Sequence, residues 1–184
     1  MTSKWLAMLG FGPHPLYSLD ANALIDAIRS YRPAVFPSMR ELVDRMVRES
    51  RLLMCEEAAD ECKDSEVRGF IQGHPGLVVS FEHIYEYLAR LQVEAPLHHI
   101  ELVDPSKTTS EADPFVVALA LRLEQRDLRD LRRRTDPQAK CVVVTHERPK
   151  GPGAKWAKIP NVCAFYGLDC ADWQSFLMAE GYKG

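Results

Sequence analysis

Acidic side chains follow the three clearest strand patterns of the sequence and also open its most apolar helix pattern. In a parallel α/β sheet, the carboxyl ends of strands and the amino ends of helices meet at one edge, where ligands bind. Carboxylates within a few ångströms of one another repel unless some are protonated or a cation neutralises them. Oxygen ligands without thiolates or paired histidines favour Mg²⁺ or Mn²⁺ over zinc, so the pattern predicts a site for one of these ions. The candidates are Asp20 and Asn22 after the first strand, Glu56, Glu57, Asp60 and Glu61 after the second, Asp113 at the helix start, and Thr145 and Glu147 after the last long strand.

Each candidate also has a structural role that competes with this interpretation. Asp113 precedes Pro114, which is the pattern of a helix N-cap, and Asn22 could cap the helix after the first strand. Glu57 and Glu61 lie one turn apart on a helix face that is ordinarily solvated, and the residues after the last strand could belong to a simple turn. The shared position of the candidates at strand and helix ends is therefore the informative feature.

Alternating strand and helix patterns supply the frame that must position these side chains. The strand patterns are short apolar runs, whereas the helix patterns repeat apolar residues every three or four positions. Strands that alternate with helices indicate an α/β fold, a three-layer α/β/α arrangement with a central, mainly parallel sheet. We expect strands at residues 16–20, 52–55 and 141–144, and a loop over residues 95–111 with at most a short strand near 100–103. We expect helices at residues 22–32, 37–48, 56–70, 81–91, 113–136, 159–167 and 172–180.

Length and composition indicate one ordinary globular domain. Of the 184 residues, 46% are hydrophobic and 27% are charged, which disfavours disordered and collagen-like architectures. We interpret residues 1–15 as an N-terminal extension and residues 16–184 as the domain. The five cysteines have no zinc-site spacing, and no apolar run suits a secretory signal or a membrane span. We therefore expect a soluble, cytoplasmic protein that does not bind a membrane.

The overall charge gives no general attraction to nucleic acid, but two segments are locally basic. The chain has 26 acidic and 23 basic residues, a formal net charge of −3. Residues 122–134 contain six arginines against three acids, and residues 140–158 contain five basic residues against Glu147 alone. We interpret the first segment as a solvated helix face. The second adjoins the predicted metal site, where it could bind phosphates.

Four blocks of sequence, in order, resemble the motifs of PIN-domain nucleases. YSLDANALIDA contains a strand ending in Asp20, EAADECKD contains Glu61, EADPFVVALA contains Asp113, and VVVTHE contains Glu147. The C-terminal KIPNVCAFYGLDCADWQSFL resembles PIN-like relatives of VapC-type toxins, so the likeness covers roughly residues 16–180. The resemblance favours Glu61 over Glu57 as the second acid. It implies a PIN-like fold with metal ligands Asp20, Glu61, Asp113 and Glu147, supported by Asn22 and Thr145.

The same resemblance implies a function. PIN-domain nucleases of this type are metal-dependent endoribonucleases that leave a 5′-phosphate and a 3′-hydroxyl, and VapC-type members are the toxins of toxin–antitoxin pairs. We therefore expect an RNA substrate, Mg²⁺ or Mn²⁺ as cofactor, a cognate antitoxin as partner and a homodimer. One alternative is a haloacid-dehalogenase-type phosphohydrolase, which needs a second Asp where Asn22 stands. Another is a PIN-like scaffold that binds RNA or protein without cleaving.

Overall fold

A parallel five-stranded sheet is the frame of the molecule in a computed structural model, which describes residues 14–32, 35–102, 112–151 and 157–182. The sheet has the strand order β3–β2–β1–β6–β7, and every neighbouring pair in it is parallel. The remaining two strands, β4 and β5, pair with each other as an antiparallel hairpin. The strands are β1 (Leu16–Leu19), β2 (Leu52–Cys55), β3 (Val78–Val79), β4 (Arg126–Asp127), β5 (Asp130–Arg134), β6 (Cys141–Val144) and β7 (Asp169–Ala171).

Helices cover both faces of this sheet. They are α1 (Ala21–Ser30), α2 (Pro37–Arg48), α3 (Glu56–Glu61), α4 (Ser65–Gly73), α5 (Tyr85–Leu97), α6 (Asp113–Leu123), α7 (Ile159–Tyr166) and α8 (Trp173–Ala179). Two 3₁₀ turns, Pro75–Leu77 and Phe81–His83, flank β3. No helix among the described residues is both long and apolar enough to cross a membrane.

Two consecutive residues of β1 show the two helix layers. The hydroxyl of Ser18 donates a hydrogen bond of 2.9 Å to the carbonyl of Val116 in α6. The ring of Tyr17 packs edge-on against Phe176 of α8, with ring centroids 4.8 Å apart. Successive strand residues point to opposite faces, so α6 and α8 lie on opposite sides of the sheet. The predicted three-layer α/β/α arrangement is confirmed.

The central elements are uniformly apolar because protein covers them on both sides. Every residue of β1 and β2 is buried, as expected for strands of a parallel sheet whose two faces carry helices. Helix α6 buries eight of its eleven residues and packs against β1, β2 and β6. It is therefore the core helix that its apolar sequence predicts.

The segment after α6 is a β-hairpin, so the predicted continuation of this helix to residue 136 is wrong. Gln125 adopts a left-handed backbone conformation, with φ at 50°, and cannot continue the helix; β4 then pairs with β5. This pairing sets Arg126 opposite Arg134, and both guanidinium groups donate to the fully buried carboxylate of Glu124 at 2.8 and 3.0 Å. The same carboxylate accepts the backbone N–H of Cys141. One buried charge thus overrides the local helical pattern.

The acidic segment after β2 contains two helices, whereas the sequence predicted one helix over residues 56–70. Helix α3 ends at Glu61, and α4 begins after Asp64. The Asp64 carboxylate accepts the backbone N–H groups of Glu66 and Val67, which is a standard N-cap. This break places Glu61 at the carboxyl end of α3.

Several shorter elements also differ from the sequence prediction. Strands β3 and β7 were not predicted, and the helix expected at residues 81–91 runs from Tyr85 to Leu97. Residues 100–102 form no strand, and the remainder of the expected strand lies outside the described residues. Most of the proposed extension, residues 1–13, also lies outside them, while β1 begins at Leu16 as expected.

Candidate active site

The sheet reverses its direction of growth between β1 and β6. From β1 the chain builds outward to β2 and β3 on one side, and it later places β6 and β7 on the other side. Such a switch point leaves a crevice beyond the carboxyl ends of the two central strands, and ligands of parallel α/β sheets bind there. Asp20 follows β1 directly and Thr145 follows β6 directly. Two of the predicted site residues therefore lie at this crevice.

Asp20 and Thr145 contact each other across the switch point. The Thr145 hydroxyl donates a hydrogen bond of 2.8 Å to Oδ2 of Asp20, and both residues are only 2% exposed. The backbone N–H of Asp20 donates to the carbonyl of Val144, which holds the ends of β1 and β6 together. The same Thr145 hydroxyl accepts the backbone N–H of Glu147 at 3.1 Å. Thr145 therefore fixes both the Asp20 carboxylate and the loop that carries Glu147.

We predict that Thr145→Val lowers the free energy of unfolding by about 1.5–3 kcal/mol at pH 7.5, because a buried, ionised carboxylate loses a hydrogen bond. Thr145→Ser keeps the hydroxyl and serves as the control, with a smaller loss. Urea denaturation measures both variants. A larger loss for Thr145→Ser than for Thr145→Val would mean that the methyl group of Thr145, and not its hydroxyl, stabilises this corner.

Asp113 and Asp20 influence each other electrostatically although 93 positions separate them in the sequence. Burial, followed by the charges of Glu147 and Asp20, raises the pKa of Asp113 to about 6. Burial is also the main reason why the pKa of Asp20 rises to about 6, and the charges of Glu147 and Glu61 add to the effect against the opposing Thr145 hydrogen bond. Four carboxylates thus interact electrostatically with one another. We call this set, Asp20, Glu61, Asp113 and Glu147, the acidic pocket.

Glu147 is held by the first residues of α7. Its Oε2 accepts the backbone N–H of Ile159 at 3.0 Å, and its Oε1 accepts a hydrogen bond from Nζ of Lys158. The same ammonium lies 3.9 Å from Oδ2 of Asp113. Lys158 therefore places one positive charge between two acids of the pocket. The sequence analysis places Lys158 only within the basic segment 140–158. Its positive charge, eleven positions after Glu147, is the only feature of the sequence that suggests a contact with this acid.

Glu61, and not Glu57, belongs to the acidic pocket by its contacts. Oε1 of Glu61 accepts the backbone N–H of Ala112 at 3.0 Å, which joins the end of α3 to the start of α6. The Glu61 charge acts on both Asp20 and Asp113. Oε2 of Glu57 is buried and has no hydrogen-bond partner among the described residues, and burial raises the pKa of this side chain. The acids whose charges act on Glu57 are Glu56 and Asp60, which do not belong to the pocket.

The structural roles suggested by the sequence for Asp113 and Asn22 are wrong. Asp113 is the first residue inside α6, and Ala112, which makes no side-chain capping hydrogen bond, is at the N-cap. Asn22 is the second residue of α1, whose N-cap is Asp20, and its side chain is exposed. Neither Asp113 nor Asn22 therefore has a capping role. Asn22 also makes no described contact with the acidic pocket.

The two basic segments have different relations to the acidic pocket. In the segment 122–134, Arg126 and Arg134 pair with Glu124 near the amino end of β6, away from the crevice. Arg148 and Lys150 follow Glu147 directly and are exposed. Residues 152–156, which include a further lysine of the second segment, lie outside the described part of the chain. The second segment therefore supplies exposed positive charge directly after Glu147.

The donor chemistry of the acidic pocket fits a hard divalent ion. All four side chains are carboxylates. Asp20 is buried and Asp113 is half-buried, and both face like charges that a cation would relieve. Across the residues that the structure covers, no three His, Cys, Asp or Glu side chains are arranged to hold an ion as they stand. In the structure Oε1 of Glu147 accepts a hydrogen bond from Lys158, so an ammonium already faces this oxygen. Asp20 and Asp113 would hold the ion, with Glu61 and Glu147 beside it.

Comparison with known proteins gives one match. Searches of curated proteins and of solved structures returned no match. One family model matches residues 17–127 and 135–183, which include all four acids of the pocket as well as Thr145 and Lys158. The unmatched residues between the two stretches fall on the β4–β5 hairpin. Because the matched stretches make up most of the chain, the protein belongs to the family described as a domain of unknown function, DUF4411.

Proposed function

We propose that this protein is a PIN-like endoribonuclease that uses Mg²⁺ or Mn²⁺ to hydrolyse RNA phosphodiester bonds. The observation that carries this proposal is the meeting of Asp20 and Asp113, from the end of β1 and the start of α6, with Glu147 at the switch point of the sheet. The strand order places a ligand crevice at the same point. The resemblance of the four sequence blocks to PIN-domain nucleases supports RNA as the substrate.

The residues of the acidic pocket have distinct roles in this proposal. A divalent ion there would supply a water of lowered pKa and neutralise charge on the phosphate. Asp20 and Asp113 hold the ion, and Thr145 fixes the Asp20 carboxylate by its hydrogen bond of 2.8 Å. Glu61 and Glu147 would offer the ion further carboxylate oxygens and would orient water. Exposed Arg148 and Lys150 attract the RNA backbone, so substrate binding should weaken as salt rises.

The biological setting that we propose rests on the resemblance to VapC-type toxins. In that setting the protein is a cytoplasmic toxin, a homodimer, and the target of a cognate antitoxin that covers the acidic pocket. A carboxylate-lined crevice beside exposed basic residues is a surface that an antitoxin with a basic side chain can enter.

Cleavage of end-labelled RNA tests the proposed function. We expect purified protein to cut single-stranded or structured RNA with Mn²⁺ or Mg²⁺, to stop in excess EDTA, and to resume when Mn²⁺ is restored. Products should carry a 5′-phosphate. Stoichiometric Mn²⁺ binding without any cleavage would instead favour the PIN-like scaffold. Hydrolysis of a small phosphomonoester with no RNA cleavage would favour the phosphohydrolase.

Two glutamates of α3 provide a matched pair of variants. We predict that Glu61→Gln slows cleavage by about tenfold or more, because residues that support a metal site commonly contribute that much. The amide oxygen can still accept the Ala112 N–H, so the helix junction is kept. Glu57→Gln, one turn earlier, should leave the rate within about twofold. Single-turnover cleavage measures both, and the reverse order of effects would assign the second acid to Glu57.

A further inference from the structure

The acidic pocket contains a cation that belongs to the chain itself. Nζ of Lys158 donates a hydrogen bond to Oε1 of Glu147 and lies 3.9 Å from Oδ2 of Asp113. Its positive charge also interacts electrostatically with the buried carboxylate of Asp20. Lys158 is the N-cap residue of α7, so it comes from a different element than any of the four acids.

The backbone around Lys158 is fixed, whereas its ammonium stands on a flexible stem. Both oxygens of Glu147 are bound at the start of α7, one by the Lys158 side chain and one by the Ile159 N–H. The Asn161 side chain accepts the N–H groups of Lys150 and Lys158 and donates to the Lys150 carbonyl. These bonds attach the loop after Glu147 to the first turn of α7. A lysine side chain with four methylenes can then turn outward without moving this frame.

An ammonium and a divalent ion cannot occupy this place together. Both seek the carboxylate oxygens of Glu147 and Asp113, and two cations a few ångströms apart repel strongly where solvent is partly excluded. Removing either cation leaves like charges facing one another, which raises the free energy of the pocket. A cation therefore stabilises the pocket in both the metal-free and the metal-bound protein.

We propose that Lys158 is a resident counter-ion that exchanges with the divalent ion. In the metal-free protein it holds Glu147 and Asp113 together. When the ion binds, the ammonium leaves these oxygens, so Lys158 sets the metal affinity and is a positioning residue. This inference rests on the proposed function, because it assumes that the acidic pocket binds the ion.

Mn²⁺ titration of metal-free protein, by calorimetry and in the absence of RNA, tests the exchange. We expect Lys158→Met to bind Mn²⁺ about tenfold or more tightly than the unchanged protein, because one competing charge is gone. Lys158→Arg keeps the charge and should stay near the original affinity. Lys63→Met removes an exposed lysine two residues after Glu61 and should change the affinity by less than about twofold, since Lys63 contacts no acid of the pocket.

Melting temperatures provide a second readout that does not depend on activity. The metal-free Lys158→Met protein should melt at a lower temperature than the unchanged protein. Saturating Mn²⁺ should raise the melting temperature of Lys158→Met by more than it raises that of the unchanged protein. If Lys158→Met does not fold, Lys158→Gln, which has a neutral polar side chain, is used in its place. Equal or weaker Mn²⁺ binding by the charge-neutral variant would overturn the exchange.

The outcomes separate this inference from the proposed function. If Mn²⁺ binds the unchanged protein, Asp20→Asn abolishes that binding, and Lys158→Met is no tighter, then only the exchange is wrong. If Mn²⁺ binds neither protein, or if Asp20→Asn leaves the affinity unchanged, then the acidic pocket is not the metal site and both proposals are overturned.

Discussion

Asp113→Asn should abolish metal-dependent RNA cleavage and, at the same time, make the metal-free protein more stable. The variant loses an oxygen ligand that we assign to the ion, so the rate should fall by at least about a hundredfold, as for important supports of metal sites. It also loses a half-buried negative charge that faces the charges of Glu147 and Asp20. A residue that only stabilised the fold would show the opposite effect on stability.

The expected gain in stability depends on pH in a definite direction. The pKa values of Asp20 and Asp113 are raised to about 6 from an ordinary value of 3.8. A carboxyl group with a raised folded-state pKa favours folding while it is protonated, and this contribution is lost as the pH rises through about 6. At pH 7.5 each Asp→Asn change should therefore stabilise the metal-free protein by about 1–3 kcal/mol. Below the ordinary pKa of 3.8 the advantage should disappear, because the group is then protonated in both the folded and the unfolded state.

Thermal melts at both pH values, without metal and with saturating Mg²⁺, measure this prediction. A gain of that size corresponds to roughly 2–10 °C for a domain of this length. Asp60→Asn is the control, since it removes an exposed charge next to Glu61 and should change neither stability nor cleavage appreciably. Full activity of Asp113→Asn, or a lower melting temperature at pH 7.5 with normal activity, would contradict the assignment of this residue.

Glu124→Ala should be the most destabilising single change outside the acidic pocket. The Glu124 side chain is fully buried and accepts hydrogen bonds from Arg126, Arg134 and the Cys141 backbone. Arg126 in turn donates to the carbonyls of Arg132 and Gly167. Removing one partner of a buried ion pair leaves uncompensated charge and costs about 3–5 kcal/mol. The variant should therefore be largely unfolded at moderate urea concentrations.

Urea denaturation of three proteins checks this expectation. Glu124→Gln keeps the shape and one acceptor oxygen, so it should lose less stability than Glu124→Ala. Any Glu124→Gln protein that remains folded should cleave RNA at a rate close to normal, since the network lies at the amino end of β6. A loss below about 1 kcal/mol for Glu124→Ala would mean that the arginines find other partners or water.

The central strands and the core helix could be predicted because their local sequence and their environment agree. β1, β2 and β6 are short apolar runs between helices on both faces, and α6 is apolar nearly all round because it packs under the sheet. Their carboxyl and amino ends follow from the same patterns, which is why Asp20, Asp113 and Thr145 could be placed near one edge.

The hairpin and the lysine of the pocket could not be predicted because long-range contacts determine them. The repetition of Arg, Asp and Leu over residues 126–134 suits a helix, whereas the buried Glu124 carboxylate favours bringing Arg126 opposite Arg134. Lys158 comes to lie beside Asp113 because Glu147 binds the first turn of α7. Neither contact leaves a local sequence pattern, since the partners lie on different elements.

An anomalous difference map from crystals soaked in Mn²⁺ tests most directly whether distant acids gather around a divalent ion. We predict a peak within about 2.0–2.5 Å of carboxylate oxygens of both Asp20 and Asp113, with the Lys158 ammonium withdrawn from Glu147. A map without a peak at these two residues, at a Mn²⁺ concentration that supports RNA cleavage in solution, would contradict the metal centre.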